Sequence, residues 1–231
     1  MKKLLVGLGC AGYVCALPFL ASALPARQLP IPLPAALALS FVQLALLLAL
    51  AAYAGSKWTP RVALDAPFLR ALAEHSPRPA GFRRAALEAL AAGTVAAALA
   101  IAVVLVLRPY VPAALSQPPA APRWLRATAM FYGGTVEEIL LRWAVLPGVW
   151  LLVRRAGGGF WPANVITALI FGAAHLPSAK GMGIALTLPV LAHVVLANAV
   201  AGIVFGWMFR RRGLESAMIA HACADLWLQL L

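Results

Sequence analysis

The feature that most limits this chain is the length of its apolar runs. Met1 to Leu24, Ala35 to Ala54, Ala85 to Leu107, Ala127 to Val153, Phe160 to His175, a stretch from about Val190 to Phe209, and Leu214 to Leu231 each read as nearly continuous hydrophobic sequence. A helix needs about 20 apolar residues to cross the hydrocarbon of a bilayer. In lipid every backbone N–H and C=O must be satisfied internally, which helices do within their own length. The expected fold is therefore all-α: a polytopic membrane helix bundle of about seven transmembrane helices, six to eight depending on how residues 176–209 cross. Composition agrees, at 63% hydrophobic and 11% charged with a mean hydropathy of +0.89. A soluble domain carries about 25% charged residues.

The 231 residues allow one membrane domain. Within it, residues 1–126 supply N-terminal helices and loops, and residues 127–231 hold the unexpected polarity. Ala21-Ser22-Ala23 resembles a signal-peptidase site, but the first run is long enough to stay as an uncleaved span. Arg27 to Pro34 makes a proline-rich turn, Gly55 to Arg84 is a long polar segment, and Arg108 to Arg126 is a Pro-rich loop. Cys10, Cys15 and Cys223 lie in apolar runs without C-x-x-C spacing, which supports neither a zinc knuckle nor a disulfide framework.

The net charge of +12 comes from positives in short connecting segments. That pattern is a topology signal and not a nucleic-acid footprint, so no nucleic-acid partner is expected. With the N-terminus inside, Lys2, Lys3, the six positives of residues 55–84, Arg154, Arg155 and Arg210 to Arg212 fall inside. Arg27, Arg108, Arg123, Arg126 and Lys180 fall outside, and Arg142 lies within the membrane. The lipid bilayer is thus one partner, and the expected location is a multi-pass position in a bacterial inner membrane.

Three clusters of charged or ionisable residues stand in apolar surroundings where each costs insertion energy. In Gly133-Gly134-Thr135-Val136-Glu137-Glu138-Ile139-Leu140-Leu141-Arg142, two carboxylates and an arginine occupy one span. An ionisable residue inside a membrane segment marks a functional site by default. Glu138 and Arg142 are four apart in the favourable order for a helical ion pair, which leaves Glu137 without a local partner. A carboxylate in that situation suits general-base work. His175 closes the next run, with Phe171 one turn before it on the same face. His221 and Asp225 share one face of the last run. Glu88 reads as an interfacial charge, His193 as interfacial, and Asn198 as interhelical glue.

A single site where the three clusters converge could activate water. Glu137 would take a proton, His175 would help hold the water, and His221 would stabilise an oxyanion, with Asp225 positioning His221 or donating if protonated. Glu137, His175, His221 and Asp225 could instead hold a divalent metal such as zinc, although H-E-x-x-H is absent. A non-catalytic membrane scaffold or immunity protein and a proton-coupled transporter are the competing readings. The absence of an inverted repeat counts against a transporter.

Together, Glu137-Glu138-x-x-x-Arg142, Phe171-x-x-x-His175 and His221-x-x-x-Asp225 resemble the motifs of the CPBP intramembrane proteases, the CAAX proteases and bacteriocin-processing enzymes also called the Abi family. Gly202 to Leu214 looks like that family's link between its second and third motifs, and the resemblance covers roughly residues 127–231. It implies an intramembrane endopeptidase acting on a peptide or membrane-protein substrate, like the CAAX prenyl endopeptidases. Glu137 would activate water, supported by Glu138 and Arg142, with His175 and His221 as the family histidines. Asp225 stands where the eukaryotic CAAX endopeptidases carry Asn, and an ionised Asp cannot donate to an oxyanion.

Overall fold

The computed structural model describes residues 1–23, 30–115 and 121–230, and every regular element among them is helical. Parts of the turn at Arg27 to Pro34 and of the Pro-rich loop fall outside the described residues, as does Arg27 itself. The elements run α1 (Lys2–Ala23), α2 (Leu33–Trp58), a 3-10 turn (Thr59–Val62), α3 (Pro67–Ala73) and α4 (Phe82–Leu107). A long rod follows, made of α5 (Arg123–Ala127), α6 (Ala129–Phe131), two π-helical stretches (Tyr132–Glu137 and Ile139–Val145) and α7 (Leu146–Arg155). The chain closes with α8 (Phe160–Ala173), α9 (Leu176–Gly181), α10 (Leu188–Arg212) and α11 (Leu214–Leu230). Proline opens α2, α3, α9 and α10, where its missing N–H is no loss and its fixed φ suits the first turn.

Among the described residues, five helices are long and apolar enough to cross a membrane: Lys2–Ser22, Leu33–Val62, Phe82–Tyr110, Phe160–Gly181 and Leu188–Arg212. The other two expected spans are the rod and α11. The rod carries Glu137, Glu138 and Arg142, and α11 has 17 residues.

The rod runs between two groups of helices. On one side α1 and α2 pack together and against the π-helical stretches. Val136, Ile139, Trp143 and Leu146 share a core there with Leu5, Leu48 and Ala52. On the other side α10 packs against α8, α4 and α11, and α11 also packs on the rod. Ala89, Ala92, Ala96 and Ala97 of α4 meet Phe205, Met208, Ala220 and Ala224. Small residues let helix backbones approach closely, and that approach replaces the hydrophobic driving force that lipid does not provide. Gly213, at φ 96°, lets α10 turn directly into α11. The new helix is anchored by Leu214 N–H donating to the Asp65 carbonyl at 3.1 Å.

Contacts gather the basic segments at one end of the bundle. Lys2 and Lys57 both lie over the Tyr53 ring, and Arg154 donates to the Arg61 carbonyl. Arg210 covers Trp150 and Phe160. Glu88 accepts from Arg212 at 2.7 Å, from Arg84 at 3.0 Å and from Arg211 at 3.3 Å, tying the start of α4 to the end of α10.

Several local expectations need correction. The segment Gly55 to Arg84 is not wholly a connector, because α2 continues to Trp58 and α3 forms within it. Residues 176–209 do not form one run: Leu176–Gly181 is a short helix of its own, and α10 begins at Leu188. His193 is buried within the bundle, where this part of α10 lies against α8 and α9. Arg126 belongs to α5 and is also buried, since α5 packs on α1 and α11.

Candidate active site

Three separate segments deliver the ionisable groups to one place: the rod, the end of α8 and α11. Glu137 ends the first π-helical stretch and Glu138 precedes the second. Gly133 and Gly134 have low helix propensity, and Pro147 removes an N–H that would otherwise bond back into the turn. π-helical turns are rare and frequently mark functional sites. His175 follows α8, and its Nδ1 lies 2.9 Å from the Phe171 carbonyl one turn earlier. The ring therefore folds back along its own helix. This reconciles the different depths at which His175 and His221 occur along their segments.

Glu138 is fully buried and is shared between two partners. Its Oε1 lies 2.8 Å from His221 Nδ1, and its Oε2 faces Arg142 Nε at 3.5 Å. The latter contact is an ion pair too long to count as a hydrogen bond. Arg142, 1% exposed, donates from Nη2 to the Gly202 carbonyl at 3.1 Å. Its guanidinium lies 5.0 Å from the Phe171 ring and 5.7 Å from Phe205. Phe205 stacks on His221 at 4.3 Å, and Phe171 sets its edge to His175 and His221 at 4.9 and 5.6 Å. His221 is thus held by a carboxylate at Nδ1 and by aromatic rings on its sides, which aims Nε2 away from Glu138.

That Nε2 lies 3.6 Å from Glu137 Oε2 and 3.6 Å from Asp225 Oδ1. On the other side Glu137 Oε1 is 4.0 Å from His175 Nε2. These separations exceed direct hydrogen bonds but suit polar groups that share a water. The same residues line a cavity of about 300 Å³ together with Phe19, Leu20, Tyr132, Asn198 and Gln229. Gly133 keeps it open, since a Cβ there would collide with the Asp225 carboxylate and lie 2.9 Å from His221 Nε2. A larger cavity of about 530 Å³ at the arginine end is lined by Arg84 and Arg210 to Arg212 and contains none of these groups.

Glu137, His175, His221 and Asp225 therefore meet, with Glu138, Arg142 and Phe171 packed behind them. The hydrogen bond at His221 Nδ1 comes from Glu138, whereas sequence spacing had offered Asp225 for the orienting role. Among the described residues, no group of three or more His, Cys, Asp or Glu side chains is arranged to hold a metal ion. Asn198 lines the cavity and is not interhelical glue: its Nδ2 donates to the Val194 carbonyl of its own helix at 2.8 Å. Tyr132, Phe205 and Gln229 were not singled out from the sequence. The clue for Asn198 was an amide inside an apolar run, and for Phe205 its place in the stretch after Gly202.

The fold and the cavity define an all-α membrane protein with paired carboxylates and imidazoles facing one pocket. Residues 119–227, just under half of the chain, match the family model described as Type II CAAX prenyl endopeptidase Rce1-like, a model of the CPBP family. No curated protein and no solved structure matches it.

Proposed function

We propose that this protein is a membrane-embedded endopeptidase that hydrolyses a peptide bond with water activated by Glu137. The observation that carries the reading is the position of the Glu137 carboxylate, 4.0 Å from His175 Nε2 and 3.6 Å from His221 Nε2, in a cavity. Water between Glu137 and His175 gives a proton to the carboxylate. The hydroxide attacks the substrate carbonyl carbon, and the oxygen that gains charge faces His221. With Nδ1–H given to Glu138, the imidazolium offers Nε2–H to that oxygen, the kind of preorganised donor that lowers such barriers. Collapse breaks the C–N bond, and the amine leaves with the proton that Glu137 took. Asp225 stands beside Nε2 as the counter-charge to this imidazolium.

Purified protein in detergent or nanodiscs, given a peptide reporter joined to a transmembrane helix, tests the reading. Cleavage is expected from the parent protein and not from Glu137→Ala or His175→Ala variants that elute and melt like it. Full cleavage by both variants would sink the proposal.

A further inference from the structure

The two ends of the bundle differ in a way that orients the cavity. One end gathers Lys2, Lys57, Arg61, Arg84, Arg154 and Arg210 to Arg212 through the contacts described above. These residues lie at the start of α1, the end of α2, the start of α4, the end of the rod and the end of α10. The cavity is lined from the opposite ends: Phe19 and Leu20 at the end of α1, Ala129 near the start of the rod, His175 after α8, and Gln229 at the end of α11. Positive charge near span ends marks the cytoplasmic side of a membrane protein.

We infer that the candidate active site opens to the face away from the cytoplasm and takes a peptide segment presented at that outer boundary. Three features shape the class of substrate. Phe19, Leu20, Tyr132 and Phe171 give the cavity apolar and aromatic walls. Asn198 and Gln229 put side-chain amides among them, and amides pair with a peptide backbone. The groups also sit between helices that cross the membrane, so the segment enters from the outer interface. The fitting substrate is an extended, apolar juxtamembrane stretch of an exported or membrane-anchored protein. A cytosolic chain terminus would have to cross the bilayer to reach Glu137. The orientation stands on charge and geometry alone, whereas the substrate rests on the endopeptidase reading.

The test uses the full chain in the cytoplasmic membrane of a bacterial host, with Cys10, Cys15 and Cys223 replaced by Ala. Single cysteines go to exposed positions at the two ends: Ser178→Cys and Lys180→Cys near the cavity, Ser76→Cys and Arg78→Cys at the basic end. A membrane-impermeant maleimide added to cells with a permeable outer envelope is expected to label the first pair. The second pair should react only after the inner membrane is opened. The reverse pattern overturns the orientation. Two reporters then carry the same apolar segment, one just outside and one just inside a single transmembrane helix. The outer reporter is expected to be cleaved, dependent on Glu137, and the inner one left whole. Cleavage of the inner reporter alone overturns the substrate assignment. With the expected labelling, cleavage of neither overturns the endopeptidase reading and leaves the orientation in place.

Discussion

Two charged clusters bind helices together in this protein, and they do it in opposite ways. At the basic end, Glu88 accepts hydrogen bonds of 2.7–3.3 Å from Arg212, Arg84 and Arg211, and its donors reach solvent. At the cavity, Glu138 and Arg142 are sealed from solvent, while Glu137, His175, His221 and Asp225 face one another at 3.6–4.0 Å. The first cluster is saturated, so nothing is left over for chemistry. The second buries its back row away from solvent and leaves its front row open. Glu138 spends one oxygen on His221 and turns the other to Arg142, and the front row keeps gaps wide enough for water. Structural ion pairs close their distances, whereas a site that admits a reactant leaves some of them open.

Substitutions can break or sharpen that contrast. The largest effect is expected from Glu137→Gln, which keeps the shape but removes the base. Cleavage should fall about 10²–10⁴-fold, the usual worth of a general base, with the melting temperature little changed. Arg142→Met should act through stability, because it strands the buried Glu138 carboxylate. Losing one partner of a buried pair costs about 3–5 kcal/mol, and thermal unfolding in detergent would register it. Gly133→Ala places a methyl against Asp225 and His221. Displacing reacting groups by about 1 Å can lower turnover about 10²-fold, so cleavage should drop while the fold persists. The smallest effect is expected from Glu88→Gln, which should leave cleavage unchanged in a reporter assay. If it lowered cleavage as far as Glu137→Gln does, the division between a saturated staple and an open site would collapse.

Much of this arrangement was legible from local spacing. The Glu138–Arg142 pair, the His175–Phe171 pair and the His221–Asp225 pair are each four residues apart, and a helix places such residues together wherever it sits. The apolar runs likewise announced an all-α bundle. What spacing does not carry is which helix faces which. Tyr132, Asn198 and Gln229 reach the cavity, and Phe205 reaches His221, only because of how the rod, α10 and α11 pack. Phe19 and Leu20 come from the first half of the chain, where no motif pointed to a site. The double duty of Glu138 was hidden for the same reason, since its partner His221 is 83 residues away. The buried states of His193 and Arg126 were also missed, because a polar residue near the end of an apolar run reads as a boundary until its neighbours are placed.

The two π-helical stretches give the rod a phase. Each wider turn shifts the angular position of everything after it relative to an α-helix, in which successive residues advance by about 100°. Glu138 sits between two such stretches, and Arg142 lies within the second, so their meeting depends on the number of residues packed into those turns. Removing a single residue from 139–145 would let the segment tighten to an α-helix. Because an α-helix turns more per residue, six α-helical residues sweep nearly the angle of seven π-helical ones, so the segment beyond would keep its side toward α2 and α8. Substitutions here trade one side chain for another, but a one-residue deletion between Glu138 and Arg142 would change the spacing that lets those two meet. Length is therefore as strict a requirement in this stretch as the identity of Glu137.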